Sequence, residues 1–352
     1  MNLVVKPLKD NNEWTEFVDS YSGASFFHSL KWKEVIEANF GLKSLYLVAK
    51  NEVGDVVGVC PGFIAGSRMV KFYNSLPYSD YGGPLSGSVR VNYGFSEYLQ
   101  RFSVKEGLAY AKMCLLDNGA AFAFKSPLSH VERSKGVMEI DLNHVSSVDI
   151  WNKVFSSNSR RHIRRLDRSS YRAYELTSKR ELEEFYKAYC TNMGYVGSIP
   201  YNFSFIQSIW EHLYSSNVRI WLMGEKRVFG GLFVLKDAKG SIVWLVGIDR
   251  ESPHTFSVYL YLVWKEILAS EKEKLGKVSL GSTPSNPDDL HHKIKIELGA
   301  TFRQQELVWF PLSARGKLLL LVRGKTVNRW KSLRNFLPTV VRAPLENRLL
   351  RL

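Results

Sequence analysis

The chain has 352 residues, of which 45% are hydrophobic and 23% charged, a globular composition in a length that one core rarely organises, so two units of roughly 150 residues are expected. No apolar run approaches the roughly 18 residues that span a bilayer, and the opening Met1 to Pro7 lacks the basic region and apolar core of a secretory leader, so a cytoplasmic protein is expected. The net charge of +14 is uneven: residues 311–352 hold ten Lys and Arg against one acid, Glu346, and carry +9 of it, which leaves a mildly basic body.

Asn12 to Tyr21 has the spacing of an amphipathic helix. Leu45 to Ala49, a polar turn through Asn51 and Asp55, and the apolar run Val56 to Ile64 predict a hairpin. A third strand at Met69 to Leu76, a helix over Phe95 to Leu115 and a strand at Ala120 to Phe124 follow. A short strand at Val137 to Leu142 gives way to the polar stretch Asn143 to Ser147, and a second unit opens near Trp151. There the order recurs: helix at Glu181 to Cys190, strands at Arg219 to Gly224 and Val228 to Leu235 across the turn Glu225-Lys226-Arg227, a third strand at Ser241 to Ile248, a helix at Ser257 to Glu273, and a strand at Val278 to Gly281. Gly230-Gly231 match Gly58 in position. Helix, antiparallel hairpin, strand, helix, strand resembles the order of the GNAT-type acyltransferase fold. The expected class is therefore α/β (α+β), as two tandem GNAT-like units over residues 1–142 and 143–310 with a basic amphipathic tail over 311–352.

The densest charge cluster opens the second unit. At helical spacing Arg160, Arg161, Arg164, Arg165 and Arg168 share one broad face, with Ile163 and Leu166 opposite. Guanidinium suits bidentate capture of phosphate or carboxylate, so this face predicts a phosphate-bearing substrate or an RNA backbone; a plain solvated face is the alternative. Cys60, Cys114 and Cys190 are odd in number, far apart and set among apolar neighbours, which speaks against a disulfide framework. The one close histidine pair, His291-His292, cannot easily share an ion from adjacent helical positions, so no metal is expected. Neither a Gly-x-Ser-x-Gly elbow nor a P-loop is present. In the tail, Thr326 to Leu337 predicts a helix with Trp330, Leu333 and Leu337 along one side, and with Leu318 to Val322 and Leu345 to Leu352 it would meet an anionic membrane surface.

Four stretches carry a family resemblance. Pro77-Tyr78-Ser79-Asp80-Tyr81-Gly82-Gly83-Pro84 is the first, and the opening Phe26-Phe27-His28-Ser29-Leu30-Lys31-Trp32 is another. Met138 to Leu142, running through Trp151 and Phe155 into the arginine helix, is a third; Leu280-Gly281-Ser282-Thr283-Pro284 leading to Lys295-Ile296-Glu297-Leu298-Gly299-Ala300 is the fourth. Together they resemble the FemAB-like aminoacyltransferases, which modify peptidoglycan precursors. The resemblance implies direct attack of an amine on an activated ester, with Lys295 stabilising an oxyanion or phosphate, Asp80 accepting the proton, Tyr81 orienting a substrate, and Gly82, Gly83, Arg160, Arg161, Arg164 and Arg165 holding it. It also implies that no cofactor is bound: the acyl donor is a co-substrate, aminoacyl-tRNA or, alternatively, acyl-CoA. The acceptor would be an amine of a cell-envelope precursor or polysaccharide, met at the inner face of the cytoplasmic membrane. Several positions depart from the family pattern. Ser279 and Ser282 stand where relatives carry Asp and Arg, Ile36 and Ile199 where they carry carrier-binding Lys and Arg, and Leu166, Ile294 and Leu298 where Ala, Phe and Phe are usual. Ile36 and Ile199 speak against a nucleotide-linked muropeptide; Ser279 and Ser282 favour a third reading, a binding protein with a decayed active site, which the retained Asp80 and Lys295 oppose.

Overall fold

The structure, a computed structural model, describes residues 3–116, 128–214, 216–224, 227–249 and 255–333, and of residues 255 and 324–333 the backbone alone. It falls into two compact units. The first takes the chain up to Gly136 and takes it up again from Arg303 into the helix Ala314–Leu333; the second is Val137–Phe302.

In the first unit the helix Asn11–Ser20 starts on Asp10, whose carboxylate accepts the Asn12 N–H at 2.8 Å, and buries Trp14 and Val18 one turn apart. The hairpin Leu47–Lys50 and Val56–Cys60 pairs antiparallel, with Val4–Pro7 along its outer edge. The apolar run predicted as one strand, Val56 to Ile64, is two strands in two sheets. It breaks at Pro61, which cannot donate to a ladder, and at Gly62, where a Cβ would sit 2.2 Å from the Tyr73 ring. Phe63–Gly66 then pairs with Lys43–Ser44 and Lys71–Asn74, and Lys71–Asn74 runs parallel to Leu108–Leu116. The intervening helix is Val89–Glu106, not Phe95 to Leu115. Gly107 closes it in the left-handed region (φ 72°), its N–H donating to Ser103 O at 2.8 Å, and the residues beyond extend as strand. The predicted strand Ala120 to Phe124 lies outside the described residues.

Residues 303–310, grouped by sequence with the second unit, pair in the first: Gln305 to Pro311 of the strand Thr301–Pro311 run antiparallel to Leu116 to Tyr110, and Leu307 to Trp309 also pair with His130–Glu132. Val308, Phe310 and Leu312 complete the first core beside Phe95, Leu99 and Met113. Leu318 to Val322 is helix, with Leu320 packed on the sheet and Leu318, Leu321 and Val322 facing outward. The rest of the predicted tail motif, Thr326 to Leu337, is backbone helix as far as Leu333, and Leu345 to Leu352 lies outside the described residues.

The second unit is a meander flanked by helices. Arg172–Glu175, Val218–Gly224, Val228–Lys236 and Ser241–Ile248 pair antiparallel in that order, and Lys277–Pro284 joins parallel to Ser241–Ile248. Of the turn predicted here, Glu225 and Lys226 lie outside the described residues. The helix Lys179–Tyr195 opens with a reciprocal Ser178–Glu181 capping box and packs on the meander, and Gly231 and Gly247 let it approach closely through Phe185. Thr255–Lys272 covers the other face, its Val258, Leu262 and Val263 fully in the core. Among the described residues no helix is long and apolar enough to cross a membrane.

Candidate functional site

The Asp80 to Leu85 loop joins the two sheets of the first unit. Gly82 N–H donates to Cys114 O at 3.0 Å on one sheet, and Leu85 exchanges both backbone hydrogen bonds with Val59 on the other, at 2.8 and 3.0 Å. Ser75 Oγ also donates to Gly82 O. The glycines answer to packing: a Cβ on Gly82 would lie 2.3 Å from Leu76 Cβ, and one on Gly83 would lie 2.2 Å from Leu115 Cδ2. Just before the loop, Leu76 (φ 46°) and Tyr78 (φ 65°) hold left-handed backbone, which costs each on the order of 1–3 kcal/mol. Stacking of Tyr78 on Phe40, with centroids 4.3 Å apart and planes at 11°, helps to hold it.

Beside this loop lies a cavity of about 320 Å³, walled by Tyr81, Gly83, Pro84, Asn92, His28 and Arg303. Tyr81 is 4% exposed, with its ring 6.0 Å from that of His28. The Ser25 N–H reaches His28 Nδ1 at 3.2 Å, which makes that nitrogen an acceptor and leaves Nε2–H to donate to Gly83 O at 3.3 Å. Both ring nitrogens are engaged, so His28 is a positioning residue that ties the opening segment to the glycine loop. Asn92 Oδ1 accepts from Ser86 Oγ at 3.0 Å and so fixes the far rim. Asp80 is half-buried and does not line the cavity. Its backbone oxygen accepts from Cys114 Sγ–H and from Gln305 Nε2, while burial first and the Asp80 charge second push the Cys114 thiol up to about 12. The sequence pointed to Tyr81 and Gly83 of this wall. Arg303 carried no local signal, because it reaches the first unit only through the strand that returns to it.

Lys295 and the arginine helix belong to the second unit. Lys295, 9% exposed on the helix Leu290–Glu297, donates through Nζ to Ser282 O at 3.0 Å and Gly281 O at 3.3 Å. It thereby pins the strand end where Gly281 turns left-handed (φ 73°). Ser279 Oγ accepts the Gly281 N–H at 3.3 Å, and His292 Nδ1 lies 3.0 Å from Pro284 O, fastening the same segment. The helix Ser157–Asp167 buries Ser159, Ile163 and Leu166, as its period predicts. Its arginines have different environments. Arg160 donates to the carbonyls of Trp151 (3.0 Å) and Phe155 and so closes the preceding turn. Arg161 donates to Asn158 Oδ1, Arg164 lies 5.4 Å over the Trp151 ring, and Arg161, Arg164, Arg165 and Arg168 are exposed. Among the described residues none of the five forms an ion pair with a carboxylate. Nor is any group of three or more His, Cys, Asp and Glu placed to hold a metal ion there.

No family model matches the sequence, and no curated protein does so either. Solved structures do resemble it. FemX matches over 88% of this chain and 97% of its own at 11% identity and a TM-score of 0.66. A tandem GNAT protein from the clavulanic acid biosynthesis pathway matches over 89% and 99% at 12% identity and a TM-score of 0.57. L-PGS from Bacillus licheniformis matches over 89% and 96% at 10% identity and a TM-score of 0.55. At such identities the likeness speaks to architecture, and the architecture is that of two tandem GNAT-like α/β units.

Proposed function

We propose that this chain is an acyltransferase of the FemAB-like type, which moves an aminoacyl group from a charged tRNA to an amine of a cell-envelope precursor or polysaccharide. The observation that carries the reading is the likeness to FemX over nearly the whole chain, joined to a cavity walled by the Tyr81-Gly82-Gly83-Pro84 loop that the sequence singles out. Direct attack of the amine on the ester requires orientation, a route for one proton and donors for the developing oxyanion. Tyr81 and Gly83, which wall the cavity, orient the substrate there. The exposed Arg161, Arg164 and Arg165 engage phosphates, as their lack of carboxylate partners favours.

Filter binding of charged tRNA against salt, paired with transfer of a radiolabelled amino acid to amine acceptors, tests the reading. With three or four phosphate contacts the slope of log affinity on log salt should be about −2 to −4. Salt-insensitive binding, or none, removes the tRNA donor. The likeness to the clavulanic acid tandem GNAT protein favours acyl-CoA as the second donor, and that reading predicts turnover of acyl-CoA with no RNA dependence.

The reading places the enzyme in the cytoplasm against the inner membrane face. It is supported by Leu318, Leu321 and Val322, which stand 62%, 47% and 54% exposed along one side of a helix rich in Lys and Arg. Leu312 and Leu320 are core residues, so truncation at residue 310 would damage the first unit. The cleaner variant is Leu318→Ser with Leu321→Ser. Equal co-sedimentation of this variant and the parent with anionic vesicles would refute the membrane role.

A further inference from the structure

Lys112 and Trp309 are cross-strand partners in the first unit, and the helix Ala314–Leu333 covers their face of the sheet, with Leu320 packed on Ala109, Tyr110 and Trp309. That helix sets the Arg323 guanidinium 4.2 Å from the Trp309 ring centroid, while Lys112 Nζ lies 5.9 Å from the same centroid. Two cations therefore share one indole. The His130 ring stands 5.3 Å from it as well.

The Arg323 side chain is left incomplete. Its Nε and Nη2 are shut off from solvent and have no hydrogen-bond partner. These two nitrogens form one edge of the planar guanidinium, with parallel N–H bonds that match two oxygens of a single phosphate or carboxylate. Among the described residues no carboxylate lies within ion-pair reach of Arg323 or Lys112. Glu132, the acid whose charge both feel, accepts from Ser134 Oγ at 2.6 Å instead. Burial first, and repulsion by Arg323 second, hold Lys112 below the usual lysine range, and burial lowers Arg323 likewise. Buried cations persist where an anion offsets their lost hydration, and the described residues do not supply that anion.

We propose that Lys112 and Arg323, over Trp309, form a binding site for a phosphate group beneath the helix Ala314–Leu333. A dianionic phosphate monoester satisfies the free edge of Arg323 with two oxygens and presents a third to Lys112, which a carboxylate cannot do. Arg323 as a whole is half-buried, so a phosphate gains its closed edge by a rotation of the side chain towards the surface. The cavity at Tyr81 and the arginine helix are not involved, and the inference stands whether or not the chain transfers acyl groups.

The test uses the full chain and inorganic phosphate, with sodium chloride at matched ionic strength as control. Phosphate should raise Tm saturably and change tryptophan fluorescence, and Arg323→Met and Lys112→Met should each weaken the response by roughly tenfold or more. Neither substitution strips a partner from a buried acid, so both variants should fold. If one does not, the other decides, because phosphate held at the arginine helix would leave its response equal to the parent's. A parent response no greater than that to chloride, or one unchanged in both variants, overturns the site. Co-sedimentation with phosphatidylcholine vesicles, with and without phosphatidic acid, separates the sources. A lipid headgroup predicts that Arg323→Met loses the phosphatidic acid-dependent binding and that free phosphate competes with it. A soluble phosphate ester predicts unchanged vesicle binding in a variant that no longer responds to phosphate.

Discussion

Arg219 and Arg323 are both guanidiniums taken out of water beside an indole, and the protein treats them oppositely. Arg219, 3% exposed, gives Nη1 to both oxygens of the fully buried Glu266 at 3.2 Å and Nη2 to Glu273, with Glu175 at 3.6 Å. Glu266 is closed in turn by Trp221 Nε1 at 2.7 Å and Ser270 Oγ at 2.9 Å. Every charge in that group has its counterpart inside the second unit, although Arg219 Nε, 3.6 Å from Glu175, makes no hydrogen bond. Arg323 has an indole and a second cation, and among the described residues nothing accepts the protons of its Nε and Nη2. A buried charge offset by carboxylates belongs to the architecture; one left without a counter-ion implies a ligand.

The comparison breaks most clearly on stability. Arg219→Met leaves Glu266 as an uncompensated buried carboxylate and should cost about 3–5 kcal/mol in denaturant unfolding. Arg323→Met removes an unsatisfied cation and should cost less than about 1 kcal/mol, or stabilise slightly. Equal losses at the two sites would mean that Arg323 is paired by the fold after all.

Closed and open surroundings can be contrasted again within the glycine loop. Gly83→Ala drives a methyl to 2.2 Å from Leu115 Cδ2 and should cost roughly 1–3 kcal/mol, with loss of transfer activity through the deformed cavity wall. Gly87→Ala, at the cavity rim with nothing within 4 Å of the added carbon, should be neutral to about 0.5 kcal/mol. A smaller effect again is expected on the exposed arginine face. Arg165→Gln should leave stability within about 0.5 kcal/mol and, on the proposed tRNA donor, reduce RNA affinity and flatten its salt slope by about one contact.

How much of this could be read from the sequence depends on the range of the interaction. The arginine helix was legible because Ile163 and Leu166 recur at the helical period between the charges, and three strands of the meander because turn residues bound them, while Arg172–Glu175 gave no such signal. The segment from Asp80 to Pro84 marked a loop that walls the cavity, though the need for Gly82 and Gly83 arises from Leu76 and Leu115, which only the folded chain brings near. Gly107 ended a helix whose apolar pattern continued without a break, since Leu108 to Ala111 just beyond it are all buried. Arg303, the His28 contact with Gly83 and the Arg323 stack on Trp309 rest on tertiary neighbours, and no local spacing encodes them.

The slightest effect concerns alkali. Burial pushes the Cys60 and Cys114 thiols up to about 12 from an unfolded value near 9, so both stay protonated at neutral pH. The sign follows from linkage: a raised folded pKa contributes stability that is fully present below about pH 9 and is lost as pH rises towards 12. Native protein at pH 7 should therefore resist alkylation at both thiols, and unfolding midpoints should fall as the buffer is taken from pH 9 to higher values. Rapid labelling of Cys60 in the folded chain would contradict its burial.

The strand Thr301–Pro311 has a consequence for synthesis on the ribosome. It pairs with Leu108–Leu116 and His130–Glu132, so one edge of each stays bare until nearly the whole chain has been translated. At roughly 5–20 residues per second, that interval lasts some tens of seconds at the slow end. All of the second unit emerges within it, so the later-made module can finish folding before the earlier one. An unpaired edge of that age is a template for pairing with neighbouring nascent chains. Slow translation or a missing holdase should therefore aggregate this protein through its first unit, while the segment Val137–Phe302 is the part expected to survive expression alone.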